Sequence, residues 1–199
     1  MNNKKTLLII ILAFVVLMVG ATVLYNRLGA DMAPSQLATQ PPATEAPVPE
    51  ATEVPGETLP EPQIVPDFTV FDIDGNEVRL HDFLGKPIVL NFWASWCGPC
   101  KSEMPDFDEK YQEFGEEIQF LMVNMTDGGR ETVEAASGFV ADQGYNFPVF
   151  YDTAQHAAYV YGVYSLPTTF FIDAEGYPIA YAAGAISADN LQQGIDMIR

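Results

Sequence analysis

After residue 63 the apolar positions fall into short runs separated by glycine, proline, asparagine and aspartate. IVLNFW at 88–93 is continuous, apolar and rich in β-branched and aromatic side chains, the pattern of a strand covered on both faces. IQFLMVN at 118–124 reads the same way, and FPVFYD at 147–152 and TTFFID at 168–173 are shorter versions. Residues 68–72 and 77–80 flank Ile73-Asp74-Gly75-Asn76, a hairpin signal; residues 168–173 and 177–184 flank Ala174-Glu175-Gly176 in the same manner. The remaining segments predict helices over 97–114 (closed by Gly115), 131–142 (ending at Gly144), 153–161 and 187–198. Pro105 falls inside the first of these and should kink it. Strands alternating with helices, closed by a hairpin and a helix, predict an α/β domain over residues 64–199: a central mixed sheet with helices on both faces.

Two segments of different character precede that domain. Residues 1–28 carry Lys4 and Lys5, then an uncharged apolar run from Leu7 to Leu24 edged by Thr6 and Tyr25. About twenty helical residues at ~1.5 Å each span ~30 Å, the thickness of a bilayer core. A cleaved signal peptide would have an apolar region of about 7–15 residues and an A-x-A-like site. Gly20-Ala21-Thr22 matches that site poorly, so residues 6–25 are expected to be an uncleaved signal-anchor. Lys4, Lys5 and the amino terminus outweigh Arg27, which places the N-terminus in the cytoplasm and the rest of the chain on the extracytoplasmic side of the cell membrane. Residues 29–63 are Pro, Ala, Thr and Glu without one Lys or Arg, too poor in apolar surface to offset the entropy of ordering. They are expected to form a disordered tether.

Charge narrows the choice of partner. The chain has 9 Lys+Arg against 27 Asp+Glu, a formal net charge of -18, which repels phosphate backbones and argues against nucleic-acid binding. Cysteine usage narrows the chemistry. The two cysteines, Cys97 and Cys100, stand three positions apart in NFWASWCGPCKSEMP. A loop that short closes little chain entropy, so a structural staple there would add little stability. A structural zinc site needs four ligands. His81 and His156, the two histidines of the chain, lie in distant segments without ligand spacing, and Lys101 stands where a haem-attachment motif needs histidine. No metal or other cofactor is therefore expected.

What remains is redox exchange. Cys97 follows a buried strand and opens a helix, where N–H groups and the macrodipole favour a thiolate, the species that attacks disulfides. Cys100 lies one turn deeper and would act second. Gly98 and Pro99 suit the turn, since proline is tolerated at the start of a helix.

WCGPC after a buried strand, Pro105 further along the helix, and SLPTTFFID about seventy residues later resemble the thioredoxin superfamily. More narrowly, PDFTVFDIDGNEVRLHDFLGKPIVLNFWASWCGPCKSEMP and YGVYSLPTTFFIDAEG resemble the membrane-anchored, extracytoplasmic thiol–disulfide oxidoreductases of the TlpA/ResA type, over roughly residues 66–199. The resemblance implies a thioredoxin-like fold with Cys97 as attacking and Cys100 as resolving cysteine, in a redox-active disulfide that needs no further cofactor. It implies that Pro167 is a cis-proline facing the dithiol, where the backbone at Leu166 can pair with a substrate strand. Trp96, Gly98, Pro99 and Leu166 are expected to form the docking surface. Ordinary thioredoxins carry a buried aspartate in the strand before the motif; here that position is Asn91, which cannot titrate. Glu103, three residues after Cys100, resembles the buried active-site glutamate of the ResA type and would exchange protons with Cys100. The expected partners are extracytoplasmic protein disulfides, apocytochrome c among them in cytochrome c maturation, and a membrane-embedded thiol electron donor. Two alternatives differ in chemistry. A copper-delivery protein of the same fold uses C-x-x-x-C plus a downstream histidine, and a thiol peroxidase needs a threonine before its cysteine, where this chain has residues 93–96.

Overall fold

The computed structural model describes residues 63–199, folded around one seven-stranded sheet. The expected anchor and all but the last residue of the expected tether lie outside the described residues. Among the described residues no helix is long and apolar enough to cross a membrane. In chain order the strands are β1 (Thr69–Phe71), β2 (Glu77–Arg79), β3 (Ile88–Trp93), β4 (Gln119–Asn124), β5 (Val149–Tyr151), β6 (Thr168–Ile172) and β7 (Pro178–Ala183). The helices are α1 (Gly98–Phe114), α2 (Val133–Gln143), α3 (His156–Val160) and α4 (Ala188–Ile198), with a 3-10 turn at Leu80–Phe83 after β2.

The sheet runs β2-β1-β5-β4-β3-β6-β7. β3 lies inside it, parallel to β4 (Ile88 opposite Gln119) and antiparallel to β6 (Ile88 opposite Ile172). This placement is what the continuous apolar run requires: every residue of β3 is buried, and alternate residues serve different faces. Val89 and Trp93 join Phe120, Met122 and Phe171 in the core under α1, α2 and α4. Ile88, Leu90 and Phe92 join Phe68, Leu80, Leu121 and Phe170 in the core that holds Ala157 of α3. Helices therefore cover both faces, as the segment pattern predicts.

Two helices begin later than their periodicity suggests, and side chains that accept the N–H groups of the first turn are the reason. α2 starts at Val133 rather than 131 because Thr132 takes the N-cap, its hydroxyl accepting the Ala135 N–H at 3.1 Å. Glu131 is left in the preceding loop and is fully buried there. α3 starts at His156 rather than 153 because the buried Asp152 carboxylate accepts the N–H groups of His156 and Ala158 at 2.8 and 2.9 Å. α1 continues through Pro105 to Phe114.

α4 packs onto β6 at a glycine. A Cβ on Gly194 would stand 2.3 Å from the Phe171 ring. Alanine in a helix interior normally gains about 1 kcal/mol over glycine, but forcing extra volume into a packed core costs about 1–3 kcal/mol. With the aromatic ring fixed beneath the sheet, the clash should win. Gly194→Ala is expected to lower stability by up to about 2 kcal/mol, read as a lower urea midpoint. A midpoint at or above that of the unaltered protein would show that Phe171 moves aside freely.

Candidate active site

β3 delivers the chain to a tight turn and then to α1. The Cys97 N–H returns to the Ala94 carbonyl at 3.1 Å, closing the turn Ala94–Cys97. Cys97 is the N-cap of α1: its backbone is extended (φ -79°, ψ 110°) and its Sγ accepts the Cys100 N–H at 3.2 Å. A sulfur thus occupies the place where a helix usually has a serine or aspartate oxygen, facing N–H groups that the helix leaves unpaired. Pro99, which has no N–H, sits in the first turn.

Cys97 and Cys100 are joined, with an S–S distance of 2.08 Å and Cα atoms 5.3 Å apart. Cys100 is completely buried, while Cys97 keeps 4% of its surface at the floor of a groove of about 580 Å³. Trp96, Gly98 and Pro99 line that groove together with Tyr164, Ser165 and Leu166. The Leu166–Pro167 bond is cis. The groove therefore brings together Trp96, Cys97, Gly98, Pro99 and Leu166, residues drawn from two segments about seventy positions apart. Trp96 is 41% exposed and Tyr164 97%, large aromatic surfaces in the groove that Cys97 lines. The two tryptophans divide their roles: Trp93 is fully buried against Phe139, with ring centroids 6.0 Å apart. Trp96 alone of the pair faces the groove.

Glu103 does not line the groove. It lies behind it, one helical turn past Cys100 and almost fully buried. Its Oε1 accepts from Asn91 Nδ2 at 2.9 Å and its Oε2 from the Ile186 N–H at 2.9 Å. Loss of water pushes its pKa up to about 7; the two hydrogen bonds pull against that shift, and Asp106 adds to it. Asn91 belongs to this arrangement. Its amide nitrogen also donates to Thr169 Oγ1 at 3.0 Å, tying β3 and β6 to the α1 glutamate. Its buried Oδ1 has no hydrogen-bond partner. An aspartate in place of Asn91 would set two carboxyl groups at hydrogen-bonding distance, one of which would have to keep a proton; the Asn91 amide can donate to Glu103 in either of its protonation states.

Other contributions have no counterpart in the sequence reading. Glu131 accepts from the Ser95 N–H at 2.7 Å, the Ser95 hydroxyl at 2.8 Å and Asn124 Nδ2 at 2.7 Å. Arg130 lays its guanidinium over the Trp96 ring, 3.7 Å from the centroid. Neither residue carries a local motif; the contacts to Ser95 and Trp96 each span more than thirty positions of chain. The one available signal was that Glu131 directly precedes the Thr132 cap. Asn124, which with Thr126 fits a glycosylation pattern, is buried within this network and is not a surface acceptor.

Comparison with known proteins gives one answer. The AhpC/TSA family profile matches residues 62–179. The thiol-disulfide oxidoreductase ResA of Bacillus thuringiensis (strain Al Hakam) is 39% identical over 130 residues, covering 64% of this chain and 72% of the relative. ResA of Bacillus subtilis (strain 168) is 33% identical over 144 residues, covering 72% of this chain and 78% of the relative. Among solved structures, a DsbF homologue from Corynebacterium diphtheriae superposes with a TM-score of 0.61 at 28% identity, over 73% of this chain and 96% of the other. The pneumococcal exposed lipoprotein thioredoxin Etrx1 of Streptococcus pneumoniae superposes with a TM-score of 0.56 at 36% identity, over 66% and 98%.

The raised pKa of Glu103 has a measurable consequence for stability. From the ordinary value of 4.5 up to about 7 the unfolded chain has released this proton while the folded protein still holds it. Stability must therefore fall as pH rises through that window, by about 3 kcal/mol for this group. Glu103→Gln removes the contribution. Urea unfolding of the oxidised protein between pH 4 and 8 should show the unaltered chain losing about that much relative to Glu103→Gln. Parallel curves would mean that Glu103 titrates normally.

Proposed function

The chain belongs to the ResA-type thiol–disulfide oxidoreductases of the thioredoxin superfamily, within the AhpC/TSA family, and from that premise we propose that it reduces disulfides in exported proteins through Cys97. The observation that carries the reading is the asymmetry of the pair: Cys97 caps a helix at the floor of an open groove, and Cys100 is sealed behind it.

In the reducing direction the Cys97 thiolate attacks one sulfur of a target disulfide. The Cys97–target bond forms, the target S–S bond breaks, and the first target thiolate leaves. Cys100 then gives up its thiol proton, for which Glu103, with a pKa near 7, is a matched acceptor one turn away. The Cys100 thiolate attacks Cys97 Sγ and the second target thiolate leaves. Two electrons have passed to the target and the Cys97–Cys100 disulfide has formed. The groove walls, with Trp96 and Tyr164 exposed, suit an extended segment around the target cysteine.

An oxidising compartment would oblige the protein to receive its electrons from inside the cell, through a membrane-embedded thiol donor. The apolar run at residues 6–25 supports a tethered, extracytoplasmic placement. Apocytochrome c, whose haem-binding cysteines must be thiols before attachment, is the proposed substrate class. The Gly98-Pro99 pair between the cysteines is that of reducing thioredoxin, whose potential is about -270 mV.

Two measurements test this. Equilibration with glutathione or dithiol buffers should place the pair near the thioredoxin end of the scale; a value near -120 mV, that of a strong oxidant, would reverse the direction. In cells, Cys100→Ser should accumulate mixed disulfides on Cys97, and their partners name the substrates. Cys97→Ser should accumulate few. Equal trapping by both variants would contradict the division of labour.

A further inference from the structure

We infer that Glu131 is a positioning residue for Cys97: its carboxylate, by holding Ser95, fixes the turn that sets the attacking sulfur at the mouth of α1. This rests on Cys97 being the attacking sulfur.

The carboxylate is fully buried, and three donors converge on it. A buried carboxylate is costly unless such bonds compensate it, and burying one is weak support for stability in itself. What distinguishes this one is where the donors come from. Two of the three belong to Ser95, 36 positions away in the chain and inside the turn Ala94–Cys97. The neighbouring Arg130 stacks on Trp96, so two consecutive loop residues grip the two residues that immediately precede the nucleophile.

The loop is itself braced. Asp127 Oδ1 accepts the N–H groups of Gly129 and Glu131 at 2.8 and 2.9 Å, and the Gly128 N–H reaches the Glu131 carbonyl at 3.0 Å. Gln155 Nε2 holds the Thr126 carbonyl from the α3 side at 3.2 Å. The β4–α2 loop is therefore a fixed point against which the nucleophile's turn is set.

The redox cycle explains why such an anchor matters. In the oxidised protein the Cys97–Cys100 bond holds Cys97 in place. On reduction that bond is gone, and the sulfur's position depends on the turn and on what holds the turn. A displacement of about 1 Å can cost a hundredfold in rate. The covalent tie is absent in the very state that attacks a target, and the Glu131–Ser95 bonds are outside the bond that breaks.

The test uses the full-length reduced protein and the pH dependence of Cys97 alkylation by iodoacetamide, alongside disulfide-reduction rate and melting temperature. The charged groups around the sulfur, Glu103 behind Cys100 and Asp127 and Arg130 at the groove, are unchanged throughout. Glu131→Ala is expected to slow alkylation at neutral pH about tenfold and to move the profile to higher pH. Glu131→Gln, which still offers an acceptor to the Ser95 N–H and a donor to its hydroxyl, should restore most of the rate. Asp108→Ala removes another buried carboxylate, bonded to Asn146 and Gln112; it should lower the melting temperature and leave the profile alone. If Glu131→Ala does not fold, Glu131→Asp, which keeps the charge and shortens the reach, must slow alkylation. An unshifted profile in the Ala or Asp variant overturns the inference, and so does an equal shift in Asp108→Ala. Failure of Gln to rescue assigns the effect to charge and overturns it too. An unaltered protein whose Cys97 reacts no faster than free cysteine sinks the assignment of the nucleophile, and this inference with it.

Discussion

A helix usually begins on an oxygen; α1 begins on the sulfur of Cys97. An N-cap bond contributes about 1 kcal/mol to a helix when a serine or aspartate makes it. When the acceptor is a sulfur that changes charge, the same geometry becomes a redox device. The N–H of Cys100 and the positive end of α1 interact more strongly with a thiolate than with a disulfide sulfur, so the cap stabilises the reduced form. Stabilising the reduced form makes a dithiol pair a stronger oxidant. A reductase of the kind proposed here would need an opposing influence on such a cap.

Glu103 supplies one. It lies one turn further along the same helix, buried, with a pKa of about 7. When ionised it places negative charge beneath the pair and disfavours a second negative charge on sulfur. When neutral it leaves the cap unopposed. The two ends of this short stretch of helix therefore pull the sulfur's proton affinity in opposite directions, and Asn91 and Ile186 decide how far Glu103 can move toward ionisation. The strand residue has become the amide, and the titrating group sits on the helix. That exchange moves the carboxyl onto the element that carries both sulfurs, so any adjustment of α1 shifts all three together.

The fold makes this possible by covering the sheet on both faces. β3 is buried along its whole length, which takes the chain to Ala94 without exposure to water and lets a carboxyl, an amide and a sulfur meet in a dry interior. Charge interactions are strong there because water does not screen them. At the groove the balance differs. Asp127 and Arg130 set one negative and one positive group beside Trp96, so the site is locally balanced on a chain of net charge -18.

Which parts of this were legible in the sequence follows from the range of the interactions. β3 and β4 are readable because an unbroken apolar run has few other solutions, and Cys97 and Cys100 because their spacing and the preceding strand fix their relation. Glu103 and Pro167 are readable only through resemblance to a known family. Helix starts are less so: periodicity places α2 at 131 and α3 at 153, but the caps at Thr132 and Asp152 are decided by which hydroxyl or carboxylate turns toward an N–H. Glu131 carries no motif that gives its role away. Two of its three donors belong to one serine 36 positions away, one of them a backbone N–H that any residue would supply, and the third is the Asn124 amide. A side chain that bonds to backbone imposes no pattern on the sequence it holds. The residues that define a strand or a motif announce themselves by spacing; those that hold a motif still, when they do it through main chain, become visible only once the chain is folded.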